Sequence, residues 1–358
     1  MKDTPQHTFQ KAPGYWEKKG LIACALWPAS QVFACISSIR KTLFDIGILP
    51  SQSLSVPVVI VGNIRVGGTG KTPSVLAIAK AIQAKGFHPG IISRGYKGNT
   101  QSATEVTEAS KPIEVGDEPC YMAQQLASLN IPIFVSPSRV KSGQALLKKY
   151  SQVDVIISDD GLQHYKMKRW PAREGGRDIE LLVRDDRKEG NSWLLPAGPL
   201  REKPSRERDY TLHIGHKVEP YLANAPCFSI PVELNTAYPL NNPKQTIDLN
   251  TFKEEGSQTS YKLWAAAGLG NPKKFFEAIQ QKGLKVQELP LPDHYDFTVN
   301  PFEHIDASHI FITEKDAVKC VRQAQYRNDP RIWVIPVNIE LPKEFIDLIV
   351  NILKRPKP

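Results

Sequence analysis

The chain has 358 residues, 41% of them hydrophobic, and carries 46 Lys and Arg against 37 Asp and Glu, a net charge of +9. This length and apolar content exclude a disordered chain and allow one large or two medium domains. The basic balance suits an anionic partner, but no DNA- or RNA-binding signature is present and the basic residues are dispersed, so no nucleic acid is expected.

Five cysteines (Cys24, Cys35, Cys120, Cys227, Cys320) lack metal-ligand spacing and read as reduced thiols of a cytosolic compartment. Leu21 to Ile39 contains no charged residue and is flanked by Lys18-Lys19 and Arg40-Lys41. No small-residue cleavage site stands out, so a secretory signal is not expected. Ser30, Gln31, Ser37, Ser38 and Lys41 recur at helical spacing as one polar stripe. Residues 1–50 are therefore predicted to form a membrane-associating helical segment that lies in the interface, with a helix packed on the protein's own core as the competing reading.

"VVIVGNIRVGGTGKTPSVLAIAKAI" (Val58 to Ile82) follows. A β-branched strand runs into a glycine-rich turn and then a helix that opens at Gly70-Lys71-Thr72. Such a turn converges backbone N–H groups on one point, at the positive end of the helix dipole, and makes a phosphate cradle. The cradle is predicted to comprise Arg65, Val66, Gly67, Gly68, Thr69, Gly70, Lys71 and Thr72. Lys71 would reach the β- and γ-phosphates of a nucleotide, and the Thr72 hydroxyl would ligate Mg²⁺. The usual G-x-x-x-x-G-K-[ST] pattern has a glycine where Arg65 stands.

"GFHPGIISRGYKG" predicts a second strand that ends at Arg94, and "VGDEPCYMAQQLA" a loop carrying Asp117-Glu118 into a helix. "IPIFVSPSR" and "VDVIISDDGLQHY" predict two further strands, the latter ending in Asp159-Asp160. Strands alternating with helices predict an α/β fold of the P-loop NTPase kind, a mostly parallel sheet with helices on both faces, whose ligands gather at the carboxyl ends of the strands. "VDVIISDD" has the form of a strand delivering a carboxylate to the Mg²⁺ shell, so Asp159 and Asp160 are metal candidates. Asp117 is a candidate base for an acceptor hydroxyl, and Glu118 for a place near the metal. Arg94 and Arg201 are candidates for binding anionic substrate groups.

Residues 51–230 are expected to be the P-loop domain. "RWPAREGGRD" reads as an exposed polar insertion. Residues 231–260, rich in Asn, Pro, Thr and Ser, read as a linker or hairpin. Residues 261–358 then predict a second, smaller α/β domain. There His294, in the polar loop "LPDHYDF", stands out among the eight histidines, with His164 of "DDGLQHY" as its rival.

At these residues the chain resembles the tetraacyldisaccharide 4'-kinase family. The matching segments are "PVVIVGNIRVGGTGKTP", "ISRGYKG", "VGDEP", "DDGLQH", "GNSWLLPAGPLRE", "GLGNPKKFF", "LPDHYDF" and "TEKDAVK", in family order from about Pro57 to Lys319. The resemblance implies ATP and Mg²⁺, and transfer of the γ-phosphate to the 4'-hydroxyl of an acylated glucosamine disaccharide phosphate in lipid A biosynthesis. It implies P-loop roles for Lys71 and Thr72, the catalytic base role for Asp117 with His294 as its partner, and metal- and nucleotide-site roles for Glu118, Asp159, Asp160 and Gln163. It also implies the cytoplasmic face of the bacterial inner membrane, with no obligate protein partner evident. Two departures are visible: "WPAREGG" (Trp170 to Gly176) looks inserted, and "LLVRDDRKEGN" is more charged than the family's usual strand, which puts a role for Asp185 in doubt. Two other classes compete. A P-loop switch or partitioning NTPase often carries a lysine where Val66 stands. A GTPase metallochaperone would want a Cys/His metal cluster and a guanine-reading motif, which only "TEKD" (Thr313 to Asp316) resembles.

Overall fold

The computed structural model describes residues 13–96, 98–215, 225–255 and 262–356. Residues 1–12 of the expected membrane-associating segment and 256–260 of the expected linker lie outside them. The chain divides into two units, one holding residues 14–232 and 339–358, the other built around residues 233–338.

The first unit opens with α1 (Leu21–Asp45), a 25-residue helix that by length and composition can cross a bilayer. The expected polar stripe does not all face water. Ser30 is buried, accepting from the Ala197 N–H at 3.0 Å and donating to the Leu194 carbonyl at 2.8 Å. The apolar residues point outward instead, with Leu21 91% and Ile36 62% exposed and Val32 and Ile39 beside them. The helix docks along a line of Ala23, Ser30 and Phe44, where the buried hydroxyl is stable because it has two partners, and it leaves Leu21, Val32, Ile36 and Ile39 exposed.

Then come β1 (Val58–Gly62), α2 (Lys71–Ala84), β2 (Pro89–Ser93), β3 (Thr104–Val106), α3 (Pro112–Val115), α4 (Asp117–Leu126), β4 (Ile133–Val135), α5 (Arg139–Lys149), β5 (Val155–Asp159), β6 (Ile179–Asp185), β7 (Tyr210–Ile214) and β8 (Cys227–Ile230). Among the described residues these strands form one sheet in the order β3-β4-β2-β5-β1-β6-β7-β8, parallel throughout except where β3 meets β4. Val58 and Ile60 of β1 pack with Val140 and Leu146 of α5. Val59 and Val61 point to the opposite face and are equally buried, so the sheet is covered on both sides, as a run of β-branched residues requires. Chain order reverses around β1, the central strand, which places a ligand crevice at its carboxyl end.

The second unit starts near β9 (Val232–Glu233) and contains β10 (Thr236–Pro239), β11 (Ile247–Asp248), α6 (Thr251–Glu255), β12 (Leu263–Ala267), α7 (Pro272–Gln281), β13 (Gln287–Pro290), β14 (His309–Thr313), α8 (Glu314–Cys320), α9 (Ala324–Arg327) and β15 (Ile332–Ile335), ending at β16 (Asn338–Ile339). Its sheet runs β11-β10-β15-β14-β12-β13 and is parallel from β15 to β13. The stretch read as a linker or hairpin thus supplies the antiparallel edge of this sheet, with Thr236 opposite Asp248 and Tyr238 opposite Val334.

The final helix, α10 (Lys343–Leu353), belongs to the first unit and not, as expected, to the second. It packs against α2, with an ion pair from Lys85 to Asp347. Phe345 is fully buried, its ring centroid 5.0 Å from that of Phe228 and 5.9 Å from that of Tyr210. Just beyond the helix, Arg355 donates to the carbonyls of Ala172 and Gly176, so the "WPAREGG" insertion is pinned rather than free. Arg173 ties it further to Glu180. Phe345→Ala is expected to lower the stability of the first unit by about 3–5 kcal/mol, measured by urea unfolding monitored through circular dichroism.

Candidate active site

The glycine-rich loop leaves β1 at Gly62 and enters α2 at Lys71. Gly70 has φ +90, and a Cβ there would press on Ile214 of β7 at 3.1 Å, so conformation and space both require glycine. Asn63, buried at the loop's root, donates to the Gly67 carbonyl at 3.2 Å and to the Thr69 hydroxyl at 3.0 Å. Gln163, expected in the nucleotide site, donates its amide to the Asn63 carbonyl at 3.1 Å and to Glu202 at 2.7 Å. Arg65, expected in the cradle, is buried; its guanidinium donates to the carbonyls of Arg187 and Lys188 and pairs with Glu17. Val66 is anchored by its N–H to the Pro199 carbonyl, and the Arg201 N–H reaches the Ile64 carbonyl, so the 199–201 segment runs along the loop's first half. Gly67 and Gly68 remain exposed at the loop's crest, and Thr69 is buried beneath it.

The acidic strand lies directly beside this loop, with Val61 in register with Asp159. Asp159 is 2% exposed. One carboxyl oxygen accepts from the Ser93 hydroxyl at 3.0 Å and the other has no partner among the described residues. Burial first, then the charges of Glu118 and Asp160, push its pKa up to about 7. Asp160 takes φ +48, in the left-handed region. Burial would raise its pKa, but Lys71 and Arg201 prevail and hold it below the usual carboxylate range. Lys71 Nζ stands 3.6 Å from Asp160 Oδ1, and Arg201 Nη1 3.1 Å from Oδ2. Behind the pair, buried Arg139 donates to the backbone carbonyls of Asp159 and Asp160, at 2.9 and 3.3 Å.

Asp117 and Glu118 open α4, half-buried, after Gly116 at φ +95. A Cβ on Gly116 would lie 2.6 Å from the Tyr96 carbonyl oxygen, so the loop after β2 and the start of α4 touch backbone to backbone. This contact brings the Asp117-Glu118 turn to the same sheet edge. Arg94 is exposed there, and its charge bears on Arg139. His164 accepts the Arg139 backbone N–H at 3.3 Å. Burial and then the Arg139 charge lower its pKa to about 4, so it is a neutral structural acceptor. His294 lies in the second unit, half-buried at φ +62, with Lys315 Nζ at 3.5 Å and Asp293 at 3.8 Å from Nε2.

The donor set at the first unit's edge suits a small hard cation. The unpartnered buried oxygen of Asp159 lies beside Asp160, near the charge of Glu118, and Thr72 opens the adjoining helix. Among the described residues no three Asp, Glu, His or Cys side chains form an ion-binding group by themselves. Mg²⁺ commonly uses one or two carboxylates and takes its other ligands from phosphates and water, so this sparse set fits it.

Sequence reasoning missed Asn63, Ser93, Arg139 and Arg187. None falls in a recognisable motif role, and each acts through a partner distant in sequence. Arg187 is locked on Asp185 and donates to the Gly68 carbonyl. Asp185, whose role was in doubt, is buried and holds that arginine.

A raised carboxyl pKa works against the folded state as pH climbs. The penalty at Asp159 is absent below its ordinary value of 3.8 and complete above about 7. Metal-free Asp159→Asn is therefore expected to be more stable than wild type at pH 8, with the advantage shrinking as pH falls toward 4. Melting temperatures across that range, with and without Mg²⁺, check it; only wild type should gain at pH 8 from added Mg²⁺.

The family described as Tetraacyldisaccharide-1-P 4'-kinase matches residues 22–354. A tetraacyldisaccharide 4'-kinase of Polynucleobacter asymbioticus is 46% identical over 360 residues, covering 98% of this chain and 97% of its own length. The enzyme of that name from Herminiimonas arsenicoxydans is 44% identical over 348 residues, covering 95% of this chain and 94% of its own length. The crystal structure of LpxK from Aquifex aeolicus in complex with ATP superposes with a TM-score of 0.75 at 30% identity, over 93% of this chain and 100% of that one. With a phosphate loop set against a buried carboxylate and relatives of this similarity along nearly its whole length, the chain belongs to the tetraacyldisaccharide-1-P 4'-kinase family.

Proposed function

We propose that the carboxyl edge of the first sheet transfers the γ-phosphate of ATP to the 4'-hydroxyl of a tetraacyldisaccharide 1-phosphate, the lipid A step for which the family is named. The observation that carries this is the pairing of Lys71 with Asp160 next to buried Asp159, one of whose carboxyl oxygens has no partner among the described residues. The exposed backbone of Gly67 and Gly68 and the N-terminus of α2 would cradle the phosphates. Lys71 would move from Asp160 to the transferring phosphate. Asp159, Asp160, Glu118 and Thr72 would hold Mg²⁺, which neutralises charge on the β- and γ-phosphates when bound. Asp117 would accept the acceptor hydroxyl's proton, with His294 acting in the same step. Arg201 and Arg94 would meet anionic groups of the lipid, Arg201 once Asp160 turns to the metal. A switch or partitioning NTPase is not favoured, because family membership extends through both units.

The exposed apolar side of α1, with Lys18, Lys19, Arg40 and Lys41 at its ends, would lie against the cytoplasmic leaflet of the bacterial inner membrane, where the acylated substrate resides.

The test is mass-spectrometric. Detergent-solubilised protein with ATP, Mg²⁺ and the disaccharide monophosphate is expected to add one phosphate. Lys71→Ala should lower kcat at least about 100-fold, roughly 2.7 kcal/mol of barrier; a folded variant within threefold of wild type contradicts the P-loop role. Asp117→Ala and His294→Ala should each depress kcat strongly, and the double variant should be little worse than the poorer single one. Multiplicative losses would separate the two residues. Charging the outer side of α1 with Val32→Glu and Ile36→Glu should reduce liposome flotation, while equal flotation would return α1 to a purely structural part.

A further inference from the structure

The charged end of β6, a departure from the family's usual strand, is built around one guanidinium. Asp185 is 2% exposed, and a carboxylate so deeply buried requires a partner. Arg187 supplies it, placing Nε 3.1 and 3.0 Å from the two oxygens and Nη2 2.9 Å from one of them. Nη2 also donates to the Gly68 carbonyl at the crest of the phosphate loop. In return Arg65, from that loop, donates to the carbonyls of Arg187 at 3.1 Å and Lys188 at 3.3 Å. Each arginine thus holds the backbone of the other's loop, and Arg65 stands where the usual motif has glycine.

We propose that Arg187 is an arginine supplied in cis to the polyphosphate of ATP, presented to the phosphate loop by Asp185 and by this reciprocal clasp with Arg65. Its Nη1 makes no hydrogen bond or ion pair among the described residues, and the side chain is 22% exposed. Nη1 is the nearest atom to the space that a Cβ on Gly67 would occupy, at 3.4 Å, and Gly67 at φ +104 leaves that space open. A guanidinium with a spare N–H therefore lies over the two exposed glycines of the cradle. Three other cations near the edge are already engaged, Lys71 and Arg201 on Asp160 and Arg139 on backbone carbonyls. Planar, fork-shaped guanidinium matches phosphate oxygens, and an arginine at the transferring group offsets its developing charge. Val66 leaves no cation at the place where some P-loop ATPases carry a lysine, so the charge comes from the turn just after β6 instead.

This rests on the reading of the loop as an ATP site, and the controls separate the two. Binding of fluorescently labelled ATP to the full-length protein, and its displacement by inorganic tripolyphosphate and by AMP, are measured for wild type, Lys71→Ala, Arg187→Ala, Arg187→Lys and Arg65→Ala, together with kcat and KM for ATP. Arg187→Ala is expected to weaken ATP and tripolyphosphate about tenfold or more while displacement by AMP stays unchanged. Arg187→Lys, which keeps the charge and bulk but not the fork, should recover only part of this. It carries the test if the alanine variant does not fold. Arg65→Ala, which loosens the clasp but leaves the guanidinium in place, should cost less. If Arg187→Ala binds ATP as wild type does, or if it and Arg65→Ala lose affinity equally and in step with their melting temperatures, Arg187 is a brace alone and the proposal falls. If wild type and Lys71→Ala bind ATP equally poorly, the phosphate-loop reading falls with it.

Discussion

A glycine-rich loop has almost no stiffness of its own, because the freedom that lets it wrap a phosphate also lets it wander. The first unit meets this constraint by holding the loop from outside. Asn63 ties its root to its crest, Gln163 fixes the root to Glu202, and the 199–201 segment runs along its first half. Arg65 and Arg187 close the remaining side. Loop, acidic strand and α4 turn all depend on the central place of β1, since only there do neighbouring parallel strands deliver their ends to one crevice.

The electrostatics follow from that crowding. Asp159 and Asp160 are adjacent in sequence yet held in opposite states, one pushed toward protonation by burial and like charge, the other kept ionised by Lys71 and Arg201. The two carboxyls stand in different surroundings, that of Asp159 on the Ser93 hydroxyl and that of Asp160 between Lys71 and Arg201. On the function proposed above, a cation at the edge would offset the cost at Asp159 and compete with Lys71 for Asp160.

Much of this was legible in the sequence where chemistry and local pattern coincide. Val58 to Val61 and Val155 to Asp159 announce buried parallel strands by composition, and the glycines between β1 and α2 announce a phosphate loop by spacing. What was not legible depends on partners far along the chain. Nothing near Arg139 indicates that it would support Asp159 and Asp160 from behind, and nothing near Asp185 indicates that its charge would serve Arg187. The amphipathic pattern of α10 says that a helix forms but not which sheet receives it, and Phe345 finds Phe228 across more than a hundred residues. The Asn- and Pro-rich stretch after Ile230 looked like a linker because edge strands need little apolar alternation. The expected polar stripe on α1 is split, with Ser30 buried and Gln31, Ser38 and Lys41 exposed, because Leu194 and Ala197 offer Ser30 its two partners.

That seat has a geometric consequence. Ser30 holds Ala197, and two residues later Pro199 holds Val66 of the phosphate loop. Two residues of chain span at most about 7 Å. Helix and loop are therefore joined by a strut too short to carry slack, and whatever surface the outer face of α1 rests on sets the height of the phosphate cradle above it. If that surface is the membrane proposed above, the cradle would work at a fixed elevation and meet acceptors that move in a plane.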